Sequence, residues 1–180
     1  MNWLDEVRSR QKRGNRILFS KDCVFLQELE ALFCEQNHRI MVLWALDFAA
    51  QSAARLEEKY PGQARPGFAL DAAREWAAGK IRMREAQRKI LDCHAFAKEL
   101  EDPEGIALCH AVGQACSVVH TAGHAMGYPI YDLSAIVYRL GVEQCAQAVE
   151  ARVQAYEQRL LYWRTHEREY QDGFADFLRK

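Results

Sequence analysis

The chain has 180 residues, 49% hydrophobic and 27% charged, with a formal net charge of −1. That length supports one substantial core, and nothing in the composition demands a second domain. The near-zero charge excludes an overall polycation, so bulk electrostatics give no support for nucleic-acid binding and leave a partner's charge open.

The opening MNWLDEVRSRQKRGNRILFS is polar and mixed in charge, without the apolar run of a secretory signal, which predicts a cytoplasmic protein. The six cysteines, Cys23, Cys34, Cys93, Cys109, Cys116 and Cys145, fall in helical patterns rather than in a loop-rich scaffold. They are expected to be reduced and buried.

Residues 1–19 read as an N-terminal basic arm or short helix, with Trp3, Leu4 and Val7 on one side and Arg8, Arg10, Lys12, Arg13 and Arg16 supplying charge. This is either a solvated face or a contact for an acidic partner. A bundle domain is expected over 20–180. Ser20 is a plausible N-cap for a helix through Phe25, Leu26, Leu29, Leu32 and Phe33. After Asn37, the run Ile40 to Ala50 is apolar except for Asp47, which predicts a helix buried on most faces and carrying one acid. Such a carboxylate needs a cation or several donors, as a structural ion-pair partner or as part of a functional site.

Pro61-Gly62 and Pro66-Gly67 bracket a turn, and Phe68, Ala72 and Trp76 then recur at four-residue spacing before Gly79. A further helical run extends from Lys80 to about Leu100. Its basic residues Lys80, Arg82, Arg84, Arg88 and Lys89 gather at the start, and Glu99, Glu101 and Asp102 at the end. The helix dipole disfavours that order, so compensating interhelical salt bridges or a partner-binding surface are expected.

Asp102-Pro103 gives an N-cap and an N1 proline. From Gly105 to Tyr131 there is no Asp, Glu, Lys or Arg, and Ala107, Ala111, Gly113 and Ala115 leave room for neighbouring backbones. The stretch from Ile106 to Met126 is read as a central uncharged helix, ended by Gly127 and Pro129. Its length suits a membrane span, but His110, Gln114, His120 and His124 and the Ala/Val composition favour a protein core. Ile130, Leu133, Ile136, Val137 and Leu140 mark a short segment up to Gly141. Finally Val142, Ala146, Val149, Val153, Tyr156, Leu160 and Trp163 alternate steps of four and three. This amphipathic seam packs along another helix, within the monomer or across a homodimer. The expected fold is an all-α, single-domain bundle of roughly six to eight helices.

Chemistry is harder to find. On a continuous helix Cys109, Cys116, His120 and His124 would lie within about 80° of one another, with His110 about 40° further round. His110, His120 and His124 are the nearest approach to a metal site, but HExxH and CxxC are both absent. Buried or partner-facing imidazoles are the reading adopted, with no metal and no cofactor. Glu35 and His38 form a single ExxH, where a di-iron bundle needs two and further carboxylates. There is no GxSxG, P-loop or dinucleotide glycine fingerprint, and the sequence-adjacent pairs Cys93-His94 and Cys109-His110 diverge around a helix. No catalytic set is complete, so a non-enzyme is expected.

Between about Met41 and Tyr131, Trp44-Ala45, Arg65-Pro66, Ala72-Ala73-Arg74-Glu75-Trp76 with Gly79, Ala86, His94-Ala95, and His120 with His124-Ala125 ahead of Tyr131 stand in the order and spacing of a known family. The chain resembles the Imm-5-like family of helical bacterial immunity proteins. It departs from that pattern at Gln63-Ala64, where acidic residues often precede Arg-Pro, and at Tyr128-Pro129. The resemblance implies binding and blocking of a cognate toxin protein, without catalysis. Trp44, Asp47, Arg65, Pro66, Trp76, His94, His120, His124 and Tyr131 are then fold determinants or binding residues, and the basic run from Lys80 to Lys89 is the candidate partner surface. The rival class is a metal- or ligand-binding protein or enzyme with His94, His110, His120 and His124 sharing a pocket with Asp47.

Overall fold

A computed structural model describes residues 2–179, except for the side chains of residues 171 and 172. Among the described residues there are eight α-helices and no strand. They are α1 (Trp3–Lys12), α2 (Gln27–Cys34), α3 (His38–Lys59), α4 (Arg65–Ala77), α5 (Met83–Ala97), α6 (Pro103–Ser117), α7 (Gly127–Leu140) and α8 (Ala146–His166). The fold is the all-α single-domain bundle that the periodicity predicts. No described helix is long and apolar enough to cross a membrane.

Helix α6 is the centre, packed against α3, α4, α5 and α7. Asp102 caps it by accepting from the backbone N–H groups of Glu104 and Gly105 at 3.3 and 3.0 Å, and Pro103 opens it where no N–H is needed. It ends at Ser117, however, nine residues before the expected Met126. There the Ser117 hydroxyl donates back to Gly113 O at 2.8 Å, and the Val118 carbonyl meets His38 Nε2 of α3 at 2.5 Å. A 3-10 turn, Ala122–His124, follows. Gly127 and Pro129 do not terminate a helix but begin α7, because proline is tolerated in a first turn whose N–H groups have no intrahelical acceptor.

Two other expectations change. Ser20 is not a cap: a 3-10 turn, Val24–Leu26, precedes α2, so the apolar spacing runs through a junction. Helix α5 covers only Met83–Ala97, which leaves Lys80 and Arg82 before it and Glu99, Glu101 and Asp102 after it. The adverse dipole arrangement therefore largely disappears. Glu85 accepts from Arg82 N at 3.1 Å at the start of α5, Asp102 serves α6, and Glu99 takes a two-pronged bond from Arg65 at 2.8 and 2.6 Å.

Helix α3 starts at Asn37, whose side chain accepts from Ile40 N, and it carries the core's aromatic hub. Trp44 is fully buried against Phe33, Phe48, Tyr128 and Tyr156, and its Nε1 donates to Tyr156 O at 3.0 Å. The α8 seam buries Val149, Val153, Tyr156, Leu160 and Trp163 inside the chain, where α8 packs on α2, α3 and α7. That seam is satisfied within the monomer. Asp47 has the cation it requires, with Arg159 Nε at 2.5 Å and Trp163 Nε1 at 2.6 Å. At the N-terminus, α1 buries Val7, and Trp3 stacks on Phe19 and Phe25.

All six cysteines are free, but Cys34 is exposed rather than buried. It closes α2 on the outward side. Ellman's reagent on native protein should titrate Cys34 rapidly and the other five slowly, with all six reacting after unfolding. Six fast native thiols would contradict the packing described here.

Candidate functional site

Four of the sequence-selected residues come together in one cavity of about 270 Å³. Trp76 reaches it from the last turns of α4. Met83, Gln87, Leu91 and His94 recur along one face of α5, Gln114 and Ser117 come from the end of α6, and His120 and His124 come from the linking segment. Because α6 stops at Ser117, the last two imidazoles leave its axis, His120 toward Trp76 of α4 and His124 back toward Gln114 of α6.

His120 is exposed and stacks on Trp76, with ring centroids 6.3 Å apart and planes 23° from parallel. His124 is half-buried, its Nδ1 lying 3.2 Å from Gln114 Oε1. A carbonyl oxygen only accepts, so Nδ1 is the donor in this contact. Of the two placements expected for the central imidazoles, buried or partner-facing, His120 has the exposed one and His124 lies between them. Two glycines make room for the site. A Cβ at Gly113 would stand 2.3 Å from His94 Nε2, and one at Gly127 would stand 2.4 Å from Gln114 Oε1.

His94 Nδ1 meets His110 Nδ1 at 2.8 Å, which requires one ring to donate and the other to accept. Burial and the neighbouring His110 push His94 down to about 4, and burial lowers His110. Both are neutral at pH 7. His110 lies against Tyr131, centroid to centroid 5.2 Å, and lines a second cavity of about 650 Å³ with Arg16, Lys98, Glu101 and Tyr138.

The 270 Å³ cavity has no carboxylate among its lining residues, and Ser117 already donates to Gly113 O. None of the three histidines in its lining is oriented by an acid there, and no activated nucleophile faces them. Its chemistry is that of an aromatic, hydrogen-bonding pocket. His110 faces His94 instead of joining His120 and His124, and no three His, Cys, Asp or Glu side chains among the described residues are grouped to hold a metal ion.

Other selected residues lie elsewhere. Trp44 is in the core, and Asp47 is engaged with α8, outside the cavity. Arg65 lies over the Phe96 ring at 4.7 Å while holding Glu99, and Pro66 is buried in the first turn of α4. Lys80, Arg82, Arg84, Arg88 and Lys89 are exposed, with Lys89 over Phe68 at 5.6 Å. None of the five forms an ion pair among the described residues. Exposed Met83 and Leu91 adjoin them and belong to the cavity lining, so the outer face of α5 is both basic and apolar beside the pocket.

One polar cluster escaped the sequence reading. Asp132 is buried and receives Arg152 Nε at 2.6 Å and the Tyr156 hydroxyl at 2.5 Å. Arg152 also donates to Gln51 Oε1 at 2.6 Å and to the Tyr128 hydroxyl at 3.0 Å, and Tyr128 in turn donates to Phe48 O. A lone acid inside the apolar run of α7 was the available signal, the same kind that singled out Asp47.

A family model described as Imm-5 like putative immunity protein matches residues 31–159. The chain belongs to this family. The matched span runs from α2 into α8 and contains Trp76, His94, His120 and His124 as well as the Asp132 cluster, so it exceeds the interval carrying the short motifs. No curated protein and no solved structure matches the chain.

Two measurements test the site of this Imm-5 like protein. The folded value of His94, about 4, lies below the unfolded value of about 6.5. Between those pH values the unfolded chain binds more protons, so stability is full above about 6.5 and falls as pH drops toward 4. Urea midpoints should decline over that window, and the His94→Gln, His110→Gln variant should decline less. A second variant, Gly113→Ala, should destabilise by about 1–3 kcal/mol through overpacking against His94; an unchanged urea midpoint would refute the close approach.

Proposed function

We propose that this protein binds a bacterial toxin stoichiometrically and neutralises it without chemistry of its own, in the cytoplasm of the cell it protects. Membership of an immunity family across residues 31–159 carries this reading. The cavity supports it, since its imidazoles lack an orienting carboxylate and its only hydroxyl lining side chain, Ser117, is engaged. The docking surface is the outer face of α5, where Arg84, Arg88 and Lys89 flank exposed Met83 and Leu91, with Lys80 and Arg82 just before the helix. Basic charge around apolar anchors suits an acidic rim around an apolar patch on the toxin.

Co-expression with the cognate toxin domain should restore growth. Arg84→Glu, Arg88→Glu should keep the fold, weaken binding by about ten-fold and make it less sensitive to salt. The His120→Ala, His124→Ala variant should still protect. A second reading, as a ligand-binding protein, is favoured by the convergence of Trp76, His94, His120 and His124 on one cavity, although Asp47 has no part in it. A folded His120→Ala, His124→Ala variant that no longer protects, together with stoichiometric metal in the wild type, would replace toxin binding with that alternative.

A further inference from the structure

On the opposite side of α6 from the imidazoles, α3, α6, α7 and α8 enclose a cleft of about 420 Å³. Leu108, Ala135 and Ile136 contribute apolar surface, and Arg55, Arg139 and Arg152 bring three guanidinium groups to it. The cleft also contains two carboxylates, Glu104 and Asp132, both buried. Each already has a cationic partner, and Asp132 also has a hydroxyl donor. Lys59 holds Glu104 directly, and Arg152 and Tyr156 hold Asp132.

Two of the three arginines are less completely used, although Arg55 Nη1 meets Glu58 Oε2 at 3.3 Å. Arg139 is exposed and forms no ion pair among the described residues. Arg55 Nε is buried without a hydrogen-bond acceptor among the described residues, with Glu104 Oε1 at 3.5 Å supplying charge but no bond. A buried donor left in that state is costly, and native proteins seldom keep one without a reason. Arg152 is fixed in place by Asp132, Gln51 and Tyr128, so its position is set before anything binds.

We propose that this cleft is a binding site for a carboxylate carried on a short apolar body. Planar guanidinium groups match a carboxylate through paired N–H···O bonds. The surface formed by Leu108, Ala135 and Ile136 takes the aliphatic part, and the volume suits a small ligand. The same chemistry is presented by a free short-chain acid and by a glutamate side chain of a partner. The site stands apart from the toxin-binding reading, so the two can fail separately.

Calorimetric titration of the full chain with sodium butyrate, and separately with N-acetyl-glutamic acid 1-amide, tests it. At least one probe should bind saturably, while butyramide and sodium chloride at matched ionic strength should not. Arg139→Ala, which removes an exposed side chain without an ion pair, should weaken binding by about ten-fold with an unchanged circular dichroism spectrum. Arg55→Ala should do the same and provides an independent check. Tighter binding of the capped glutamate assigns the source to a partner's side chain, and tighter binding of butyrate assigns it to a free acid. Absence of saturable binding by both probes, equal binding of butyramide, or undiminished binding in both arginine variants would overturn the site.

Discussion

The structure depends on how closely four helices approach α6. Ala107, Ala111, Gly113 and Ala115 present almost no side chain, so α3, α4, α5 and α7 pack near its backbone. Close packing removes water, and an unpaired charge there would be desolvated at high cost. The absence of charge from Gly105 to Tyr131 follows from that geometry. Glu104, just outside the interval, is buried and has Lys59 as its counter-ion. The same constraint shapes the imidazole site, since His94 occupies the space that a side chain at Gly113 would need.

Burial leaves a one-dimensional trace, and those parts of the fold were legible. The charge-free run located the central helix, the four-three spacing located the buried face of α8, and a lone acid among apolar residues announced that Asp47 would need a cation. The end of α6 left no such trace. Val118, Val119 and Ala125 remain buried after the helix stops, so the apolar character continues unchanged through a different backbone. Gly127 and Pro129 were ambiguous because the same residues punctuate both ends of helices. Convergence of Trp76 with His94, His120 and His124 involves α4, α5 and the segment after α6, and no spacing along the chain encodes that meeting.

Helix α8 is positioned by polar contacts as well as by its seam. Arg152 and Arg159 are two turns apart and flank Tyr156, whose backbone carbonyl receives Trp44 Nε1. One arginine engages Asp132 of α7 and the other Asp47 of α3. Buried or partly buried ion pairs add little net stability, yet losing one partner is expensive. Sliding α8 by a turn would leave both carboxylates without their arginines, so these contacts select one register among several that the apolar seam alone would allow.

The His94–His110 contact has a topological consequence. Each ring lines a different cavity, and the contact between their Nδ1 atoms joins the two walls. The imidazole pair is therefore part of what separates the two cavities. Shortening both side chains would thin the partition between the α5 face and the Tyr131–Tyr138 face, so that a change on one side of the bundle would be felt on the other.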